Sequence, residues 1–189
     1  VVADGASTQA TGTYAPKVGG GANLLPLNIT ASLNVPGLAG GFVEEFASLA
    51  NWSANALASW TVSNGQASVT GTSSDKYYNI AYTPKSFAEL DYSVRLKRTG
   101  GCADANAIYF RGTAAPQDSY GRWYAGYWFA YANNGTFKVA KAQGGAWSTI
   151  AQWTKSPAIL PYDWNVLRVT AVGSTLRFFI NGTEVHTAT

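Results

Sequence analysis

An all-β fold, two antiparallel sheets packed as a sandwich or jelly roll, is what this sequence of 189 residues predicts. Three observations carry the expectation. Apolar residues recur at every second position in short runs, not at the spacing of three and four that a helix shows. Gly, Pro and Asn separate the runs where hairpins turn. No stretch holds a sustained helical stripe, Val43 to Ala50 being the best candidate and a short one. With 47% hydrophobic and 12% charged residues, the chain has material for a core and too little charge for a disordered tail.

The elements follow in order. Residues 1–41 are an arm that holds one aromatic, Tyr14, of the 26 in the chain but eight of its 20 glycines, so it cannot build a core alone. Within it Leu25, Leu27, Ile29, Ala31, Leu33 and Val35 alternate with Pro26, Asn28, Thr30, Ser32 and Asn34, a period of two that describes one long strand with a buried and a wet face. Pro26 donates no backbone hydrogen bond and belongs near the start of the pairing. Pro36-Gly37 and Gly40-Gly41 end the strand. The jelly-roll domain is expected over 42–189. Leu90, Tyr92, Val94 and Leu96 alternate with Asp91, Ser93, Arg95 and Lys97, a half-buried strand with a charged outer face. Leu167, Val169 and Ala171 lead through Gly173-Ser174 to Leu176, Phe178 and Ile180, a hairpin, and Asn181-Gly182 marks a second.

Composition excludes several function classes. A net charge of +3 spread over 13 Lys and Arg is too dilute for a nucleic-acid interface. No apolar run approaches the roughly 20 residues of a membrane-spanning helix. One cysteine, Cys102, leaves no internal disulfide or Cys-based zinc site, and one histidine, His186, leaves no histidine metal centre. Cys102 lies in a Gly-rich loop, where it reads either as a free, partly buried thiol or as a cross-link between chains. A chain without methionine that starts at Val1 is expected to have been trimmed as exported proteins are. Sequons at Asn28, Asn51, Asn134 and Asn181 are candidate glycosylation sites and point to the cell surface or the exterior.

The segments SFAELDYSVRLKRTGG (86–101), AIYFRG (107–112), YGRWYAGYWFAY (120–131) and DWNVLRVTAVGSTLRFFINGTEV (163–185) resemble the concanavalin A-like jelly rolls, the superfamily of laminin G domains, legume lectins and many bacterial carbohydrate-binding modules. The resemblance implies a two-sheet antiparallel sandwich over Phe42 to His186 and says little about ligand, because the fold hosts enzymes, lectins and adhesion modules. Such domains continue past the late Asn-Gly hairpin with further strands, and no strand-like segment is legible after Val185. The final strands are therefore expected to be missing, and the strand at Leu25 to Val35 is the candidate to replace them.

Candidate chemistry is sparse. Retaining glycosidases of the superfamily set two carboxylates about 5 to 5.5 Å apart on one strand. Glu89-Leu90-Asp91 supplies the beginning of that motif, but Ser93 and Val94 stand where the second Glu would be. His186 has no Gly-x-Ser-x-Gly elbow to serve. No enzyme is expected, nor a metal site, although calcium is a frequent ligand of the superfamily and Asp104, Asn106, Asp118 and Asp163 lie in loops of the right kind. In the aromatic run Trp123, Tyr127, Phe129 and Tyr131 would share one strand face and Tyr124 and Trp128 the other. One face is core; Trp123, Tyr124, Tyr127 and Trp128 are the candidates for contact with a glycan or another subunit.

Two functions follow. In the first the chain is a structural subunit of an extracellular filament, its strand Leu25 to Val35 inserted into the open sheet of the next copy by donor-strand exchange. In the alternative it is a secreted carbohydrate-binding module whose arm folds back on its own domain. Partners are copies of the chain in the first case and surface glycans in the second, with no cofactor in either.

Overall fold

The structure, a computed structural model, describes the backbone of residues 31–34 and residues 43–189 except positions 58, 72, 74, 85, 102 and 103. Leu25, Leu27, Asn28, Ile29, Val35 and Cys102 lie outside the described residues, and for Ala31 and Leu33 only the backbone is described. The described residues form fourteen strands and no helix. In chain order these are β1 (Ala31–Asn34), β2 (Val43–Glu44), β3 (Trp52–Ala54), β4 (Trp60–Ser63), β5 (Gln66–Val69), β6 (Ile80–Tyr82), β7 (Leu90–Leu96), β8 (Ala105–Gln117), β9 (Trp123–Ala132), β10 (Thr136–Gln143), β11 (Ala146–Lys155), β12 (Asn165–Val172), β13 (Thr175–Ile180) and β14 (Thr183–Ala188). The helix candidate at Val43 to Ala50 is instead a two-residue strand followed by bends, with Phe46 at φ 48°.

Two antiparallel sheets make the sandwich. One runs β14-β13-β12-β7-β1-β2 and the other β11-β10-β9-β8, while β3-β6 and β4-β5 form two short ribbons. The turn chemistry explains the hairpins. Asn64-Gly65, Gly144-Gly145 and Asn181-Gly182 all have positive φ at both positions, the geometry of a two-residue type I′ turn, whose twist matches that of the flanking strands.

The alternation read in the sequence places the core. Leu90 and Val94 of β7, Leu167, Val169 and Ala171 of β12, and Leu176, Phe178 and Ile180 of β13 are buried, and they meet Ile108, Phe110, Phe129, Tyr131, Phe137 and Val139 of the opposing sheet. Tyr92 and Leu96 are half-buried at the margin of that cluster. Phe178 fits edge-on against Phe129 at 5.2 Å, and the Tyr131 hydroxyl donates to the Leu96 carbonyl at 3.1 Å, which offsets the cost of burying a phenol.

The Asn181-Gly182 hairpin expected from the sequence is present: β14 pairs with β13 from Ile180↔Thr183 to Leu176↔Ala188, with a register shift at Phe178/Phe179. β14 continues past Val185 to Ala188, where no strand was expected; its residues are mostly polar because it is a sheet edge, where charge and polarity discourage further pairing. Residues 31–34, which the filament scheme gives to a neighbour's sheet, pair with β7 and β2 of the same chain.

Candidate functional site

β9 is aromatic on both faces, and the faces meet different surroundings. Phe129 and Tyr131 turn into the inter-sheet core, where Tyr127 stacks on Phe110 at 5.2 Å. Trp128 and Ala130 turn outward and, with Ala140 of β10, form the floor of a second apolar cluster bordered by Tyr77, Tyr109 and Trp147. The outward rings make one continuous surface. Trp123 stacks on Tyr109 at 4.6 Å, Tyr109 meets Trp147 edge-on at 6.3 Å, and Trp147 meets Trp128 edge-on at 6.4 Å. Trp128 also takes Tyr77 at 6.4 Å and Trp153 at 6.0 Å against its ring. Trp123 and Trp128 are buried beneath the others, Tyr77, Tyr109 and Trp147 are half-buried, and Trp153 is 42% exposed.

Trp123 is on this face because of a backbone device that alternation cannot reveal. Strict period two would have sent it inward with Tyr127. The β8–β9 register shifts between Phe110 and Thr113 and again between Thr113 and Gln117. Arg111 at φ 47° and Gly126 at φ 123° mark the irregularity. The extra residues lie on β8, while Gly126 on β9 leaves the extended conformation beside them; this paired irregularity re-aims the side chains beyond it, and Trp123 crosses to the outer face. The approach is close: a Cβ on Gly112 would lie 2.7 Å from the Gly126 Cα.

A polar network closes one end of the aromatic surface. Asn79 Oδ1 accepts from Gln117 Nε2 at 3.1 Å and from the Trp123 indole at 3.4 Å, while Asn79 Nδ2 donates to the Gly121 carbonyl at 2.9 Å. Asn55 Nδ2 donates to the Tyr77 carbonyl at 2.7 Å, which fixes the loop that lays Tyr77 over Trp128. Beside it Asp118 accepts from the backbone N–H groups of Tyr120 and Arg122 at 2.9 and 3.0 Å and pairs with the Arg122 guanidinium at 2.7 Å. Partial desolvation raises the Asp118 pKa, but these bonds to Arg122 and Tyr120 outweigh it and hold the carboxyl below its ordinary value. The exposed Tyr120 ring lies between the Lys76 ammonium and the Arg122 guanidinium, 4.8 and 5.1 Å from its centroid. The Tyr109 hydroxyl is buried without a partner among the described residues, and burial pushes its pKa up.

Of the four aromatics singled out in the sequence, the structure brings Trp123 and Trp128 together on the outer surface. Tyr127 belongs to the inner face, and Tyr124 is an exposed ring beside Gly145 in the β10–β11 turn. Tyr77, Tyr109, Trp147 and Trp153 were missed. For the last two a signal existed: an even spacing of six on one strand sends both side chains to the same side.

The remaining candidates have structural partners. Glu89 binds Arg111 at 3.0 Å and the Gly173 N–H at 2.8 Å, and Asp91 binds Arg168 at 2.6 Å, so separate arginines hold the two carboxylates. Asp104 pairs with Arg98 at 2.8 Å at the start of β8, whereas Asp118 follows its far end; Asn106 lies within β8 and Asp163 in the exposed turn before β12. No group of three or more His, Cys, Asp or Glu side chains suited to a metal occurs among the described residues. Asn51 and Asn134 are exposed in turns, while Asn181 Nδ2 donates to the Ala158 carbonyl at 2.8 Å and to Asn165 Oδ1 at 2.9 Å. His186 lies 5.9 Å from the Phe178 ring on β14. No helix among the described residues is long and apolar enough to cross a membrane.

With this geometry the comparisons with known proteins agree in fold. A family model described as a 3-keto-alpha-glucoside-1,2-lyase-like domain matches residues 42–189. Among solved structures, a carbohydrate-binding module, CBM66, from Bacillus subtilis superposes with a TM-score of 0.56 at 21% identity, over 73% of this chain and 78% of that one. The match supports the concanavalin A-like, jelly-roll class of sandwich. No curated protein sequence is similar enough to serve as a relative.

Proposed function

This chain belongs to the 3-keto-alpha-glucoside-1,2-lyase-like domain family, and from that premise we propose that it is an exported carbohydrate-binding domain whose ligand lies against the outer face of the β8–β11 sheet. The observation that carries the proposal is the continuous aromatic surface from Trp123 to Trp153, whose upper rings stay open to solvent on the side away from the core. A pyranose offers an apolar C–H face and a polar rim. Trp147 and Trp153 supply the apolar partner, and the Asn55, Gln117 and Arg122 end supplies hydrogen-bonding groups beside it. Aromatic side chains suit such a role because they carry large contact area at small entropic cost. The solved carbohydrate-binding module of the same fold adds to this reading.

On this reading the domain binds a glycan without acting on it: among the described residues Glu89, Asp91, Asp104, Asp118 and Glu184 are each paired with an arginine. The family description names a lyase, so the enzymatic reading has its own test: release of the aglycone from a 3-keto-glucoside, which the binding reading expects to equal the protein-free rate. The filament reading has less support, since residues 31–34 pair within their own chain.

The proposal is tested by binding to a panel of soluble and insoluble glycans, with Trp153→Ala alongside the parent chain. Trp153 is exposed, so its removal leaves the core intact. Losing half of a Trp contact area at about 25 cal/mol per Å² amounts to roughly 1–3 kcal/mol, or about 5- to 150-fold in affinity. Glycan binding that Trp153→Ala leaves unchanged would refute this placement.

A further inference from the structure

Charge is divided unevenly between the two sheets. The four strands of the sheet that carries the aromatic surface, β8 to β11, contain no Asp or Glu, and neither does the whole stretch 119–162. That stretch does carry Arg122, Lys138, Lys141 and Lys155. Arg122 is neutralised by Asp118 at 2.7 Å. Lys141 stands opposite Tyr127 on the inner side of β10, its ammonium 5.7 Å from the centre of that ring. Lys138 and Lys155 are placed differently. Lys138 lies opposite Ala130 and two residues before Ala140, both of the outer cluster, so it shares their face. Lys155 lies opposite Thr136, which precedes Lys138 by two residues and is on the same face. Between the pairs Phe137↔Thr154 and Val139↔Ala151, a bulge sets Gln152 and Trp153 across from Lys138. The two lysines therefore flank Trp153, the exposed ring that meets Trp128 at 6.0 Å.

We infer that the glycan is an acidic one, and that Lys138 and Lys155 receive its anionic substituent, a uronate carboxylate or a sulfate ester, while the sugar ring lies on Trp153. This rests on the binding reading of the outer face and adds the class of ligand to it. Among the described residues neither lysine pairs with a carboxylate, so neither charge serves to hold the fold. The Lys155 ammonium donates to the Asn134 carbonyl, which steadies it and leaves two of its three N–H groups for a ligand. Lys138 is half-buried; a lysine so placed lays its stem on apolar surface and keeps its ammonium in water. An anion arriving beside Trp153 meets two cations and no opposing carboxylate on the sheet. Asp104, at the start of β8, is paired with Arg98 at 2.8 Å, and Asp91 and Glu184 belong to the other sheet, where Arg168 and Arg177 hold them. A neutral sugar gains the stacking contact alone. An acidic one adds charge-assisted contacts at the edge of an apolar aromatic surface, without repulsion from like charge.

Matched glycan pairs test this on the full-length chain by titration calorimetry: a polyuronate against its methyl ester, and a sulfated glucan against the unmodified glucan. At low salt the parent should bind at least one anionic member about 2- to 30-fold more tightly than its neutral counterpart, the effect of two exposed ion pairs. In about 0.5 M salt that preference should fade. A preference within the first pair assigns a carboxylate, and one within the second a sulfate ester. Lys138→Gln combined with Lys155→Gln should abolish the preference without lowering the melting temperature. Lys97→Gln, which removes an exposed cation just past the end of β7, should leave it in place. Trp153→Ala should weaken both members of a pair alike. Equal binding of both members by the parent would overturn the inference, as would a preference that survives the double substitution or that Lys97→Gln removes equally. Neutral glycans bound without preference would leave the binding reading standing. Failure to bind any of the four polymers would overturn the inference, while the wider glycan panel decides the binding reading separately.

Discussion

Asn165 shows what a single buried amide does in this fold. It is fully buried, with all its hydrogen-bonding capacity used: Oδ1 accepts from the Leu160 N–H at 2.8 Å and from Asn181 at 2.9 Å, and Nδ2 donates to the carbonyls of Leu160 at 2.8 Å and Asp163 at 3.0 Å. It ties the turn before β12 to the β13–β14 hairpin. Asn165→Ala leaves those groups without partners, at about 1–3 kcal/mol, and should lower the melting temperature by roughly 2–12 °C in calorimetry. Tyr109 is the opposite case. Its hydroxyl is buried and unpartnered among the described residues, so Tyr109→Phe removes a group that costs more than it returns. Melting should be unchanged or raised by as much as about 2–4 °C per kcal/mol regained; a clear fall would mean that the hydroxyl has a partner. Asp118 carries the pH dependence of the site's rim. Its carboxyl titrates below the ordinary value, so the stability it contributes is complete above that value and is lost as pH falls through the depressed pKa. Amide exchange across residues 118–122 should accelerate on acidification, and Asp118→Asn should abolish that pH dependence.

At the scale of elements, hairpins and bulges decide which faces meet. The Asn181-Gly182 and Gly173-Ser174 hairpins were legible because turn chemistry is local, and the β7, β12 and β13 cores because a period of two survives wherever one face is buried. The aromatic site was legible only in part. Trp128 and Trp123 could be named as outward candidates, but not placed together, because the β8–β9 bulge changes parity at Gly126 and a bulge leaves no periodic mark. Tyr77 arrives from a loop held by Asn55 and Asn79, a contact between segments distant in sequence. The end of β14 beyond Val185 was illegible because an edge strand needs no apolar face. The bulge can be tested directly. Gly112→Ala places a methyl group against the Ala125 carbonyl and the Gly126 Cα, an overlap that the two strands must separate to relieve, at about 1–3 kcal/mol. It should lower stability by that order and change near-UV ellipticity from the displaced Trp123–Tyr109 stack. A variant with parental stability and spectrum would show that the bulge does not position Trp123.

Across the described residues, two sheets close on a core of aromatic and branched residues, and polar contacts of Arg111 join them at one end. Arg111, in the left-handed region at φ 47°, reaches from β8 to the other sheet, donating to the carbonyls of Ala88 and Gly173 and pairing with Glu89. That clamp explains Glu89, which the sequence offered as a catalytic carboxylate. Outward aromatics on one sheet over a packed core between the two are what make the molecule a platform: the sandwich holds the rings rigid, and the ligand meets a preformed surface. The central claim is that glycans bind the outer face of the β8–β11 sheet. Its most direct test is the indole N–H spectrum of the seven tryptophans during titration with the tightest-binding oligosaccharide of the panel. The account predicts that the Trp147 and Trp153 resonances shift in proportion to saturation while those of Trp52 and Trp164, away from that face, stay in place. Shifts confined to Trp52 or Trp164, with Trp147 and Trp153 unmoved at saturation, would contradict it.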